Sequence, residues 1–165
     1  MKKKICALIS ALTALLCVIG LAGCSTDKVF EKAGMQITLT SSFHEKELIS
    51  QTAYYESRMA IVTCLKEEFY LLPGSSSYSI SEYTDIVLRN NSLSADVQSR
   101  EGQDYLYFTY EKTVSGNAFF YLATTHKAGD AFWLIQFACY TSQKDNKTET
   151  FLKWADTVTF VGSAE

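Results

Sequence analysis

The sequence predicts an α+β domain: one central antiparallel β-sheet with helices packed on it. Three observations point there. Residues 105–140 hold three strand-like segments rich in aromatic and β-branched residues, joined by two short glycine-bearing turns. Two separated segments carry helix-capping signatures followed by apolar residues at three-to-four spacing. The chain has a single proline, Pro73, beside 10 Tyr, 10 Phe and 2 Trp, a composition that suits sheet and not a disordered stalk.

In chain order, Met35, Ile37 and Leu39 alternate with polar residues after Gly34, as a half-buried strand requires. Residues 41–48 suit a helical turn. The run from Tyr55 to Glu67 is apolar on both parities in its middle, which predicts one long central strand covered on both faces. Residues 72–77, Leu-Pro-Gly-Ser-Ser-Ser, form a loop. Ser79 and Glu82 fit a capping box, with Tyr78 and Tyr83 placed as its hydrophobic staple. The helix they start runs to about Asn90 and buries Ile80, Tyr83, Ile86 and Val87. A short strand at 97–101 precedes a turn at 102–104. Strands follow at 105–111, 118–125 and 131–140, a meander. Asn146 and Glu149 give a second cap signature, and Phe151, Trp154, Ala155 and Val158 a second apolar stripe.

The N-terminus carries a different signal. Lys2, Lys3 and Lys4 precede an apolar run to Ala22, and Leu21-Ala22-Gly23-Cys24 reads as a bacterial lipobox. Residues 1–23 are then a lipoprotein signal peptide. Cys24 takes a diacylglycerol on its thiol and becomes the lipid-bearing N-terminus. Residues 24–33 are a short tether, and 34–162 form a single globular domain. The apolar run is marginal for spanning about 30 Å of hydrocarbon, whereas two or more acyl chains give a durable anchor. The expected location is the extracytoplasmic face of a cell membrane, with the bilayer itself as a partner through Cys24.

Without the leader, 12 basic and 18 acidic residues remain, a formal charge of −6. That charge argues against nucleic acid as a partner, because phosphate contacts need a basic face. Of 5 cysteines, only Cys64 and Cys139 belong to the globular part. Outside the cytoplasm a disulfide between them is permitted; two buried thiols acting as small apolar fillers is the other reading. With no Cys-x-x-Cys pair, neither zinc nor thiol redox chemistry is indicated.

The order of elements resembles the Mog1/PsbP-like fold, an α/β/α sandwich around a central antiparallel sheet. The resemblance rests on residues 34–39, the strand 59–67, the capped helix 79–90, the meander 105–140 and the closing segment 151–160. It departs from that pattern after the opening strand, where Thr40-Ser41-Ser42 stands in place of a proline. It implies a small non-catalytic accessory domain and transfers no functional residue.

Catalytic signatures are weak. The globular part holds two histidines, His44 and His126, with no Gly-x-Ser-x-Gly elbow, no His-Glu-x-x-His and no phosphate-binding glycine loop. Glu67 and Glu68 point to opposite faces of a strand. Asp96, Glu101 and Asp104 lack calcium-loop spacing. No catalytic residue, metal or cofactor is therefore expected, and the protein is not expected to be an enzyme. The aromatics are the better hint. On the first meander strand Tyr105, Tyr107, Thr109 and Glu111 share a face; an uncovered face would present a tyrosine-rich recognition surface, for which Tyr105, Tyr107, Tyr121 and Trp133 are the candidates. With helices on both faces these rings are core instead. The favoured reading is a membrane-anchored accessory module that binds another envelope protein. The alternatives are a small-ligand carrier with an aromatic-lined pocket and an extracytoplasmic hydrolase.

Overall fold

The computed structural model describes residues 26–71 and 74–161. The expected signal peptide with its Leu21, Ala22 and Gly23, and Cys24, the expected lipidation site, lie outside the described residues. Among the described residues, ten strands and two α-helices occur in the order β1 (Asp27–Lys32), β2 (Met35–Thr40), β3 (His44–Lys46), β4 (Ala53–Glu56), β5 (Ile61–Glu68), α1 (Ile80–Asn90), β6 (Gln98–Ser99), β7 (Leu106–Val114), β8 (Asn117–Ala128), β9 (Ala131–Tyr140), α2 (Lys144–Ala155) and β10 (Thr159–Phe160). Every strand pairing is antiparallel. Seven strands form a large sheet in the order β3-β4-β5-β9-β8-β7-β6, and β1-β2-β10 form a small one.

The meander is the centre of the large sheet. Its two turns leave almost no freedom of register. Ser115 and Gly116 both take positive φ, 49° and 81°, the two-residue turn whose twist matches its flanking strands. The β8–β9 turn pairs Ala128 with Ala131, which sets Phe119 opposite Tyr140 at the far end. β9 is buried almost continuously, covered by the small sheet and α2 on one face and, at its start, by α1 on the other.

One face is covered by the small sheet and α2. Met35, Ile37 and Leu39 of β2, with Phe151, Leu152 and Ala155 of α2, pack on Val62, Cys64, Leu122, Ile135 and Phe137. The other face receives α1, whose Tyr83 and Val87 pack on Phe108, Ala123, Phe132 and Leu134. The helix starts where the sequence places it. Ser79 Oγ accepts from Glu82 N at 3.2 Å, and Ser79 N donates to the Glu82 carboxylate at 2.7 Å, so two orphan donors are satisfied. Those hydrogen bonds hold the Glu82 carboxyl below its ordinary range.

Four expectations need correction. Residues 27–32 are not tether: they form β1 and pair along their whole length with β2. The run 55–67 is two strands, not one. Ser57 Oγ accepts from Met59 N and Ala60 N at 3.3 and 3.1 Å, a side chain closing the turn between β4 and β5. Residues 44–46 are extended, not helical. The second helix begins at Lys144 without a side-chain cap, because a 3₁₀ turn at 141–143 leads into it, and Asn146 lies inside it. Of the two readings of the cysteines the structure supports the second: Cys64 and Cys139 are both free thiols. Cys64 opposes Ile135, and Cys139 sits four residues further along β9; about 13 Å of strand separates them, beyond the reach of a disulfide. They are the buried apolar fillers of the second reading, and burial raises both thiols above their ordinary pKa.

Candidate functional site

The α1 face of the large sheet is only half covered. α1 lies over the end where β8 finishes and β9 begins. At the opposite end, beyond the helix, Tyr110 of β7, Tyr121 and Phe119 of β8 and Tyr140 of β9 stand on the same face. Tyr110 and Tyr121 stack with centroids 4.7 Å apart and planes 2° from parallel, and Phe119 stacks on Tyr140 at 5.0 Å. A polar chain fixes the row to the sheet. Gln136 Nε2 donates to Tyr110 Oη at 2.7 Å, and Thr63 Oγ1 donates to Gln136 Oε1 at 3.3 Å. Tyr140 is 49 % exposed, and Met59 in the neighbouring β4–β5 turn is 45 % exposed. A row of stacked aromatics, half-buried at Tyr110, Phe119 and Tyr121 and exposed at Tyr140, has the composition of a recognition surface.

The four sequence-chosen residues do not form that surface together. Tyr105 and Trp133 are buried on the opposite face under the small sheet, at 3 % and 2 % exposure. Tyr105 Oη donates to Asp156 at 2.7 Å, and Trp133 packs on Phe160. Tyr107 is half-buried on that same face and donates to Gln98 at 2.6 Å. Of the four, only Tyr121 belongs to the open row. The expected face is closed by the segment that follows α2: Trp133 packs on Phe160 of β10, and Tyr105 is held by Asp156 and packs on His126. Tyr110, Phe119 and Tyr140 were missed although a signal existed: counting back from the Gly129-Asp130 turn puts Phe119, Tyr121 and Tyr140 on one face.

At the α1 end of the same face lies a cavity of about 320 Å³. Leu65, Phe132 and Leu134 form its floor, Tyr83, Ile86 and Val87 its helix wall, and Ser75 and Tyr78 the other wall. Glu67 reaches in from β5 and accepts a hydrogen bond from Tyr83 Oη. Tyr83 does not form the expected staple; its ring stacks on Phe132 at 4.2 Å. Burial, and then the Glu67 hydrogen bond, push the Tyr83 phenol far above its ordinary pKa, so it remains a donor. Lys127 Nζ donates to the carbonyls of Ser76 and Tyr78 at 3.0 and 2.7 Å and so fixes the outer wall.

The histidines are far apart. His44 is exposed on edge strand β3, and His126 is buried on β8, four inter-strand steps away or about 19 Å. His126 Nε2 is 2.9 Å from Thr124 Oγ1, and burial lowers its pKa to about 3. No cleft brings the two together for acid–base chemistry. Glu67 and Glu68 point to opposite faces as expected, Glu68 receiving Lys66 at 2.9 Å. Among the described residues no cluster of three His, Cys, Asp or Glu side chains could hold a metal ion, and no helix is long and apolar enough to cross a membrane.

No protein-family model and no curated protein matches the chain in sequence. Solved structures match in shape. Cyanobacterial PsbP from Synechocystis aligns with a TM-score of 0.60 at 11 % identity, over 86 % of this chain and 96 % of that one. The Ran-binding protein Mog1p of Saccharomyces cerevisiae aligns with a TM-score of 0.54 at 9 % identity, over 83 % and 96 %. LpqN of Mycobacterium tuberculosis, described as involved in cell envelope biogenesis, aligns with a TM-score of 0.50 at 5 % identity, over 82 % and 91 %. The fold is therefore Mog1/PsbP-like: α+β, with an antiparallel sheet between helices.

Proposed function

We propose that the protein is a lipid-anchored, non-catalytic accessory module that docks another envelope protein through the open half of its α1-side sheet face. The observation that carries this reading is the stacked row of Tyr110, Tyr121, Phe119 and Tyr140, beyond the reach of α1 and exposed at Tyr140. The lipobox ending at Cys24 supports attachment at the extracytoplasmic membrane surface. The fold is compatible, since one structural neighbour is a Ran-binding protein and another is involved in cell envelope biogenesis; fold alone does not assign function. Cross-linking in native membranes, followed by affinity isolation and mass spectrometry, tests it. One protein is recovered near stoichiometrically with the native chain and lost with the Tyr110→Ala/Tyr121→Ala pair. Recovery that ignores the pair removes the reading. Replacing Cys24 by Ser releases the chain from the membrane fraction if the anchor is as proposed.

A second reading, a small-ligand carrier, is favoured by the cavity beside α1, whose volume lies at the lower end of the range for small-molecule sites.

A further inference from the structure

We propose that the cavity between α1 and the β5–β9 part of the sheet binds a small molecule with an apolar body and a protonated amine. The inference deepens the small-ligand reading and rests on it; it is independent of the docking row at the other end of the face.

The cavity is apolar on three sides, which sets the body of the ligand. Leu65, Leu134, Ile86 and Val87 offer aliphatic contact, and Tyr78 adds aromatic surface. Asn90 and Asn91 also line it at the end of α1, with the Asn91 amide already donating to the Val87 carbonyl; two further polar features set the head of the ligand. The first is Glu67. A carboxylate has about four acceptor sites, and here the only hydrogen bond it receives from the described residues is that of Tyr83. No basic side chain among the described residues pairs with it, although Lys32, Lys46, Lys66, Arg100 and Lys144 all pair with other acids. Lys127, the nearest cation to the cavity wall, is engaged by the carbonyls of Ser76 and Tyr78. The second feature is Ser75. It lines the cavity at 2 % exposure, and its hydroxyl has no hydrogen-bond partner. Buried hydroxyls are nearly always paired, so an unpaired one beside a cavity points to a missing partner.

Charge then chooses between head groups. A carboxylate or phosphate would face Glu67 without a counter-ion. A hydroxyl would satisfy one lone pair only. An ammonium brings three donors and a positive charge to an acid that lacks both. The aromatic surface of Tyr78 is favourable to a cation as well.

The test uses the full chain reconstituted in phosphatidylcholine nanodiscs, titrated calorimetrically with phenylbutylamine, phenylbutanol and phenylbutyrate, with empty nanodiscs as the blank. The amine saturates one site and binds about ten-fold more tightly than the alcohol, the worth of one charge-assisted hydrogen bond; the acid binds more weakly still. Glu67→Gln removes the preference for the amine. Ile86→Trp, which fills the cavity from the helix and keeps both members of the Glu67–Tyr83 pair, abolishes binding of all three, and decides the location even if E67Q does not fold. Equal affinities for amine and alcohol, or a preference that survives E67Q, overturn the amine assignment and leave a carrier. Absence of binding by any probe, or binding unchanged by Ile86→Trp, overturns the site itself. The partner-capture experiment is untouched by either result.

Discussion

Both faces of the large sheet carry aromatic rows, and only one of them is sealed. On the covered face Phe120 and Phe137 of the sheet interleave with Phe151 and Trp154 of α2, with ring centroids 5.6 to 6.5 Å apart. On the α1 face an eleven-residue helix covers one end. The remaining rings stack against one another instead of against a second layer. The same residue types thus serve as core on one side and as a stiff surface on the other. The difference lies in how much secondary structure is laid over each face, not in the strands themselves.

The largest effect that would test this contrast comes from truncating a ring on the sealed side. Phe137 is wholly buried and touches both Phe151 and Trp154. Phe137→Ala leaves a cavity that rigid neighbours cannot refill, at a cost of about 3–5 kcal/mol. Urea unfolding followed by circular dichroism measures it. A loss below about 1 kcal/mol would mean that the covered face is not the stabilising one.

The sealed face also predicts a pH response. His126 lies buried against Tyr105 and Phe160, and burial sets its folded pKa near 3 against an ordinary 6.5. The unfolded chain takes up this proton as the pH falls below about 6.5, and the folded chain does not until about 3. Stability is therefore complete above 6.5 and declines through that window, by on the order of 1 kcal/mol per pH unit. Glu56, Glu68 and Glu82, whose folded pKa values are lowered, add to the decline only below their ordinary 4.5. Between pH 7 and 5 the histidine is separable from them. The melting temperature of the native chain falls over that interval, and that of His126→Leu falls less. Parallel curves would place His126 in contact with solvent.

What was legible in the sequence follows the same division. Meander and capped helix were readable because each is specified locally, by turn chemistry and by the Ser79–Glu82 box. β1 was not. Its six residues, Asp-Lys-Val-Phe-Glu-Lys, bury only Phe30, so they lack the alternation that marks a strand. What defines β1 is the turn after it, where Ala33 and Gly34 both take positive φ, 53° and 88°. The break at 57–60 was hidden because a serine side chain closes it in place of an Asn-Gly pair. Tyr105 and Trp133, assigned to an open face, are buried by Asp156 after α2 and by Phe160 of β10, contacts that join segments far apart in the chain. The cavity was invisible for another reason. Glu67, Ser75 and Tyr83 are brought together only by the packing of α1.

A smaller effect probes that packing. Ser79→Ala removes the capping box at the start of α1, at a cost of about 1 kcal/mol. Because Tyr83 and Val87 are the helix's buried contacts with the sheet, the loss is concentrated on the α1 face. Hydrogen exchange speeds up in residues 80–90 and stays unchanged in β2 and α2. Uniform acceleration across both faces would show that the two layers unfold as one unit and that the contrast between them is structural only.

The smallest stability effect, and the most informative one, is on the open row. Tyr121 is half-buried and its ring is held mainly by Tyr110 and Phe119. Tyr121→Ala removes a stacking partner without opening a cavity in the core, so it costs about 1 kcal/mol or less. Under the docking proposal the same change abolishes partner recovery from native membranes. A ring that matters little to folding and greatly to association is not retained for packing. If Tyr121→Ala instead destabilised the domain as much as Phe137→Ala, the open row would be core by energy, whatever its exposure. The contrast between the two faces would then rest on geometry alone.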